Sequence, residues 1–415
     1  MRAKLQKILL KDIGFSQTGP FGTQLHENDY VEKGTPIVTV EHLQEEGFSR
    51  KNLPFVSVED TQRLSKFILR AGDIVFSRVG AVDRCTYVTD KEDGWLFSGR
   101  CLRVRILKEK ANPRFINFYF RQKEFKKMMR NIAVGAIMLS LNTKLMDNIK
   151  LHLLPISEQN KIAQLLDSID NKIILNHNIN TELENIAKML YNYWFVQFDF
   201  PDEFGRPYKS SGGKMVYNEE LKREIPVGWK VKNVTDVIEW IGGAQPPKST
   251  FIYEKKDGYI RFIQNRDYAD NNNLTYIKES PSNKTCNAFD IMMDKYGEAG
   301  KVRYGLAGAY NVALAKIKVN IPNAQEYIRK FFESEAVCHY LSNACMASTR
   351  ASLNEDILKN LLIAIPHESI LQEFETQAKN ILFLILKNKS QNEKLSSLRD
   401  FLLPMLMNGQ VTINS

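Results

Sequence analysis

The 415-residue sequence is poor in cysteine, in long apolar runs and in recognisable catalytic loops. Its five cysteines are Cys85, Cys101, Cys286, Cys338 and Cys345. They are odd in number and form no C-x-x-C pair, which excludes a disulfide framework and fits a reducing compartment. Cys338-His339 with Cys345 is the one Cys/His cluster; it reads either as ordinary packing or as a metal site, and the four ligands at zinc spacing are absent. The longest apolar candidate, 381–386, is far below the 18 or more residues of a membrane span. The opening Met1-Arg2-Ala3-Lys4 leads straight to Leu5, Ile8 and Leu9, too short a stretch for a secretory h-region. These absences together predict a cytoplasmic protein without a metal.

Catalytic signatures are missing too. Gly243-Ala244-Gln245-Pro246-Pro247-Lys248-Ser249-Thr250 is superficially like a phosphate-binding loop. It lacks the glycine before lysine, and its prolines remove two N–H groups that a phosphate cradle needs. Gly212-Gly213-Lys214 has no following Ser or Thr. There is no glycine-rich adenosylmethionine loop and no D/N-P-P-aromatic motif. Pro201-Asp202 with Lys209 lies in a polar stretch that reads as exposed linker rather than as a metal-nuclease pattern. The six histidines are scattered and suggest no triad.

Negative charge is scarce in one part of the chain only. Residues 1–155 hold 26 Lys/Arg against 17 Asp/Glu, whereas the rest holds 31 of each. A basic module suits a polyanion, although a basic surface also serves solubility.

What the sequence does contain is a copy of itself. Over 157–195 apolar residues fall at heptad spacing, one set being Ile162, Ile169, Asn176, Leu183 and Leu190 and the other Leu165, Lys172, Ile179, Ile186 and Tyr193. That is the seam of a long helix. A shift of 212 residues returns the first set as Phe374, Ile381, Asn388, Leu395 and Leu402, with asparagine again in the middle. The second set returns as Gln377, Leu384, Gln391, Leu398 and Met405. Ser157 maps onto Ser369 as a candidate N-cap, and Gln372 stands at capping-box spacing from Ser369. Upstream, Leu141-Asn142 returns as Leu353-Asn354. Asp73-Ile74 with Arg78 and Gly80 returns as Asp290-Ile291 with Lys295 and Gly297. The offset drifts between 211 and 224 in the modules, as loop insertions would cause.

The expected organisation is therefore α+β: a module at 1–155, a helical region at 156–197, a linker at 198–226, a second module at 227–366 and a second helical region at 367–408. Strands are expected at 36–40, 73–76, 102–106, 259–263 and 312–319, and helices at 115–130 and 327–341. The long helices, ~55 Å each at 1.5 Å per residue, carry matching stripes and are expected to pair antiparallel within the chain, giving a pseudo-two-fold arrangement. Asn176 and Asn388 then either fix the register of the pair or sit solvated at its edge. Such a pair would act as a ruler between two reading heads.

The segment Phe198-Asp199-Phe200-Pro201-Asp202-Glu203-Phe204-Gly205-Arg206-Pro207-Tyr208-Lys209-Ser210-Ser211-Gly212-Gly213-Lys214-Met215-Val216, followed by Ile225-Pro226-Val227-Gly228-Trp229, resembles the central region of specificity subunits of Type I restriction–modification systems. So does Leu154-Pro155-Ile156-Ser157-Glu158-Gln159 leading into a long helix. The resemblance covers the whole chain. It implies two target recognition domains that read the halves of a bipartite double-stranded DNA site, separated by an antiparallel coiled coil. It further implies two modification subunits that methylate adenine with S-adenosylmethionine, and restriction subunits that use ATP and Mg for translocation and cleavage. The chain itself would hold no cofactor and no catalytic residue. One departure is the second copy's Pro366-His367-Glu368-Ser369-Ile370, which lacks the Glu-Gln of the first.

Base and phosphate contacts call for Arg, Lys, Asn, Gln or Ser on loops. The candidates are Ser77, Arg78, Arg84, Arg100 and Arg103 in the first module. In the second they are Gln245, Lys248, Asn265, Arg266, Asp294, Lys295, Lys301 and Arg303. Tyr191, Tyr193, Trp194 and Phe195 crowd the end of the first helix, either as anchors for a partner or as packing beneath a module. Two further readings differ in what they require: a stand-alone duplicated DNA-binding regulator needs no partner, and a divergent nuclease or methyltransferase would act alone with metal or S-adenosylmethionine.

Overall fold

The structure, a computed structural model, describes residues 5–20, 24–45, 47–135, 139–271, 273–346 and 352–413; Met1 to Lys4 lie outside them. The chain divides into two compact units, one of residues 1–176 with 391–415 and the other of residues 177–390. This division cuts both long helices near their middles, where the sequence places domain edges at their ends. The reason is that each half-helix packs on the module in its own unit. Among the described residues, no helix is long and apolar enough to cross a membrane.

The two units are built alike. In the first, a four-stranded antiparallel sheet has the order Gly14–Thr18, Cys101–Ile106, Ile74–Ser77, Cys85–Tyr87. In the second, the same order is Ile238–Gly242, Leu314–Val319, Ile291–Asp294, Val302–Arg303. Each unit also carries a parallel strand pair, Thr35–Val38 with Leu96–Phe97 and Tyr259–Ile263 with Gly308–Tyr310. A two-strand ribbon closes each module: Gln6–Leu9 with Lys150–Leu153, and Lys230–Asn233 with Leu362–Ile365.

The helix expected at 115–130 is two helices, Pro113–Arg121 and Lys123–Ile132, because Gln122 is extended at φ −63°, ψ 143°. The copy breaks the same way at Ser334, between Gln325–Glu333 and Glu335–Met346. In the first unit the break lets Phe125 fold back and stack on Phe120 at 4.5 Å. Asn112 starts the first of these helices by accepting from the Arg114 and Phe115 amides, with proline in the first turn.

The long helices run Ile156–Tyr191, extended by a π-helical turn Asn192–Val196, and Glu368–Met407. Ser157 and Ser369 are not caps. Both helices begin one residue earlier, with the carbonyls of Pro155 and His367 accepting the first helical N–H bonds. Gln159 ties the first helix to its module, accepting from the Asn112 amide (2.9 Å) and donating to the Leu154 carbonyl (2.7 Å). Its 212-residue counterpart is Leu371, buried in the core of the second unit, so the departure seen in the second copy replaces a polar tie by packing.

In each unit the half-helices pair antiparallel. In the first, Asp170 meets Arg399 and Asn176 meets Asn392. In the second, Asn180 meets Asn388 and Tyr191 meets Phe374. The seam is not composed as the heptads suggested. Ile162, Ile169, Asn176 and Phe374 are buried, whereas Leu183, Leu190, Ile381, Asn388, Leu395 and Leu402 are half-buried. The complementary set stands four residues on, not three: Leu166, Ile173, Asn180, Ala187 and Trp194, then Ala378, Ile385, Asn392, Arg399 and Leu406, all buried. The three-residue set faces out, with Ile179, Ile186, Tyr193, Leu384 and Leu398 exposed. A straight helix drifts against a strict heptad, and here the covering modules decide which flank is inside.

The asparagines bond to one another across the seam. Asn176 donates to Asn392 at 2.7 Å and to Gln391 at 2.9 Å; Asn388 donates to Asn180 at 2.9 Å. Each unit thus holds one cross-helix Asn pair, and the two pairs are images of each other under the 212-residue shift. A slipped register would strand these amides in an apolar seam, at about 1–3 kcal/mol each.

The expected linker is ordered. Asp199 accepts from the Ser210 amide and hydroxyl, both at 2.7 Å, and Phe200 stacks on Tyr208 at 4.7 Å. Asp202 accepts from the Phe204 and Arg206 amides and the Arg206 guanidinium, so its carboxylate is engaged locally. A hairpin of Met215–Asn218 and Arg223–Pro226 follows.

Candidate nucleic-acid interface

Strand register gathers loops from distant parts of each module at one end of its main sheet. In the first unit, Thr18 lies opposite Leu102, Ser77 opposite Cys101 and Phe76 opposite Cys85. The segment after Thr18, the residues before Cys101 and the 78–84 turn therefore form one rim. In the second, Gly242 lies opposite Ala315, Asp294 opposite Leu314 and Met293 opposite Val302, which brings together 243–250, 311–313 and 295–301.

Glycine makes both rims possible. A Cβ on Gly19 would lie 2.2 Å from the Ser98 carbonyl oxygen, and one on Gly243 would lie 1.9 Å from that of Asn311. Gly80 and Gly297 close the two turns at φ +74° and +79°. The Leu-Asn repeat has the same job twice. The Leu141 amide donates to the Arg78 carbonyl and that of Leu353 to the Lys295 carbonyl, at 2.8 and 2.9 Å. Asn142 and Asn354 then cap the next helices.

The candidates separate by accessibility. Arg84 and Arg100 are exposed on the first rim and, among the described residues, make no ion pair or side-chain hydrogen bond. Arg78 is half-buried, with one guanidinium nitrogen donating to the Gly99 carbonyl at 3.0 Å. Ser77 and Arg103 are not on the surface. Ser77 is fully buried and donates to the Val79 carbonyl at 2.7 Å. Arg103 is buried between Phe15 and Phe97, donates to the Ile68 carbonyl at 2.9 Å and to Gln17, and has its pKa pushed down to about 10 by burial and by neighbouring Arg105, against the pull of Asp73. Ser77 came from a strand end, a pattern that does not distinguish inward from outward faces, and Arg103 turns inward from within Cys101–Ile106.

On the second rim, Gln245 and Lys248 are exposed, as is Arg266, which is paired with Asp267 at 3.7 Å. Lys295 and Asn265 are half-buried, and Asn265 donates to the Tyr296 carbonyl at 3.4 Å. Lys301 is exposed but paired with Glu298 at 2.6 Å. Asp294 is buried, and burial pushes its pKa up against the pull of Arg303. Arg303 is clamped to Asp294 (2.8 Å) and Glu298 (2.6 Å), so it braces the turn rather than facing out.

The aromatic cluster at the end of the first helix takes its packing role. Tyr191, Trp194 and Phe195 are buried with Phe374, Tyr327 and Trp229 in the second unit's core. Tyr193 alone stays exposed. It belongs to a stripe missed in the sequence because Ile186, Tyr193 and Leu398 were assigned to the seam and Met189 and Phe401 to neither set. Ile186 and Met189 beside it are 46% and 61% exposed, and their 212-residue counterparts Leu398 and Phe401 are 46% and 66% exposed. Each unit therefore shows one apolar patch of the same make.

A sequence profile described as Type I restriction modification DNA specificity domain matches residues 4–185 and again 226–397. The chain belongs to the Type I restriction–modification specificity family. Each match spans one module and most of one long helix, the repeat unit found above. Among its relatives, the MjaIX specificity subunit of Methanocaldococcus jannaschii is 26% identical over 335 residues, covering 77% of this chain and 73% of that one. The HindI specificity subunit of Haemophilus influenzae is 22% identical over 421 residues, covering 86% and 90%. A crystal structure of a Type I restriction–modification S subunit from M. genitalium shares the fold of this specificity-family chain at a TM-score of 0.63 and 12% identity, over 98% of this chain and 96% of that one.

Proposed function

We propose that the chain is a non-catalytic DNA specificity subunit that reads a bipartite double-stranded target and directs adenine methylation and cleavage by partner subunits. The observation that carries this is the duplicated rim: two loop clusters of the same construction, one per module, each offering exposed Arg, Lys or Gln. Two similar heads reading different bases account for two half-sites. S-adenosylmethionine, ATP and Mg then belong to the partners, and reduced cysteines and a DNA target fit a cytoplasmic setting.

The duplicated apolar patches, Ile186 with Met189 and Leu398 with Phe401, are the docking points for two copies of one methyltransferase subunit. Two equivalent surfaces on one chain suit two identical partners. Restriction subunits join this assembly.

Arg84 and Arg100 make phosphate or base contacts in this reading. Replacing both with alanine is expected to weaken binding of the assembled methyltransferase to its target. If they touch phosphates, affinity falls on all sequences alike and the slope of log K against log salt flattens by about two. Fluorescence anisotropy across a salt series checks this, and unchanged affinity and slope remove both residues from the interface.

The paired helices set the gap between half-sites. The 36- and 40-residue helices span ~54 and ~60 Å at 1.5 Å per residue. Inserting seven residues into each, in register across the seam, adds ~10 Å, or about three base pairs of unread spacer. Sequencing of methylated bases reads the gap directly; an unchanged spacer rejects the ruler.

A further inference from the structure

The two rims share a frame but are braced differently, and the difference lies under one turn. By register, Asp294 of the second unit occupies the place of Ser77 in the first, and Arg303 that of Thr86. The first unit is satisfied there: Ser77 donates to the Val79 carbonyl and Thr86 to the Gln44 carbonyl, both at 2.7 Å. The second has an ionic truss instead. Arg303 bridges Asp294 and Glu298, Lys301 donates to Glu298 at 2.6 Å, and the Asp294 amide and carbonyl are bonded to Lys301 and Gly300 across the turn. The truss has a cost. The second carboxylate oxygen of Asp294 and the hydroxyl of Tyr268 are buried without a hydrogen-bond partner among the described residues. A structure that keeps a buried carboxylate with one oxygen unpartnered where serine serves its twin holds the turn in a set shape at a local cost.

At the tip of that turn stands Tyr296, 45% exposed, where the first unit has Val79. Its carbonyl is held by Asn265, the adjoining Lys295 is fixed by backbone bonds to Ala313 and Leu353, and the Lys295 amino group lies 5.9 Å from the Tyr296 ring. A rigid aromatic needs little ordering on binding, and an apolar ring edge can contact a base edge such as a thymine methyl in the major groove.

We propose that Tyr296 is a specificity-determining residue of the second module, its ring contacting a base edge, and that Asp294 and Arg303 are positioning residues that hold it there. This rests on the DNA-reading function proposed above and names which residue reads one half-site. Methylated-base sequencing, in cells carrying the full chain and its methyltransferase partner, tests it with three variants. Tyr296→Ala is expected to relax one or two adjacent positions of one half-site by about tenfold or more, with the other half-site and the gap unchanged. Tyr296→Phe is expected to keep the motif, because the ring is the reader. Asp294→Ser combined with Arg303→Thr, which imports the first module's pair, is expected to relax the same positions as Tyr296→Ala. An unaltered motif with Tyr296→Ala, or relaxation in both half-sites, overturns the inference even if the double variant fails to fold. A native chain that yields no two-part motif would instead remove the function on which it rests.

Discussion

Asp170→Ala lowers the stability of the first unit by about 3–5 kcal/mol, the range for breaking a buried ion pair from one side. Asp170 is the common anion for three guanidinium groups: Arg121 at 2.7 Å, Arg399 at 2.9 Å and Arg114 at 3.2 Å. Its side chain is 6% exposed, and those of Arg121 and Arg399 are 4% and 9% exposed. Removing it takes from Arg121, 4% exposed, its ion-pair partner among the described residues, and leaves Arg114 with Asp167 and Arg399 with Asp400 beside it. Burial acts to raise the Asp170 pKa, but Arg121 and Arg399 outweigh it and hold the carboxyl below its ordinary value of 3.8. A group with a depressed folded pKa stabilises fully above its unfolded value, and that contribution disappears as pH falls through the folded value. The native and variant chains should therefore differ most near neutral pH and converge in acid. Urea unfolding at several pH values measures this; a difference below about 1 kcal/mol at neutral pH contradicts it.

The second large effect concerns the exposed stripes. Met189→Glu and Phe401→Glu each place a carboxylate in the centre of an apolar patch. An anchor of this kind contributes about 2 kcal/mol or more to an interface, so each variant weakens its own site by roughly thirtyfold or more. Because each unit carries one such patch, the effects should show as stoichiometry. Under the proposed docking, the native chain is expected to hold two methyltransferase subunits, either single variant one, and the double variant none. Both positions are exposed, so the unfolding transitions should stay close to native. Native mass spectrometry of co-expressed subunits reads the outcome, and a double variant that still carries two partners would exclude these patches as the docking points.

The duplication and the helices were legible in the sequence because a long helix cannot absorb an insertion without shifting its register, so the offset stays at 212 there. The seam's second flank was not legible. Heptad counting over 157–195 finds apolar residues both three and four positions after Ile162, and only the covering module decides that Leu166 turns in while Ile179 and Ile186 turn out. The asparagine pairs were half-legible: Asn176 and Asn388 stood out, whereas their partners Asn392 and Asn180 lay on the unrecognised flank. On the rims, Arg84, Arg100, Gln245 and Lys248 are exposed as their loop positions suggested. Ser77 and Asp294, at strand ends, and Arg103, inside its strand, are buried, since a strand offers the same residue types to both faces. Tyr296 was passed over because base contact was sought among charged and amide side chains. Gly19 and Gly243 carried a signal: a glycine one residue past each equivalent strand, at the module offset of 224.

The most direct test of the account is single-molecule sequencing of methylated bases in cells that carry this chain together with its methyltransferase partner. The account requires a motif in two defined parts separated by bases of any identity, absent when the chain is deleted. A continuous motif, or methylation that persists without the chain, would contradict it.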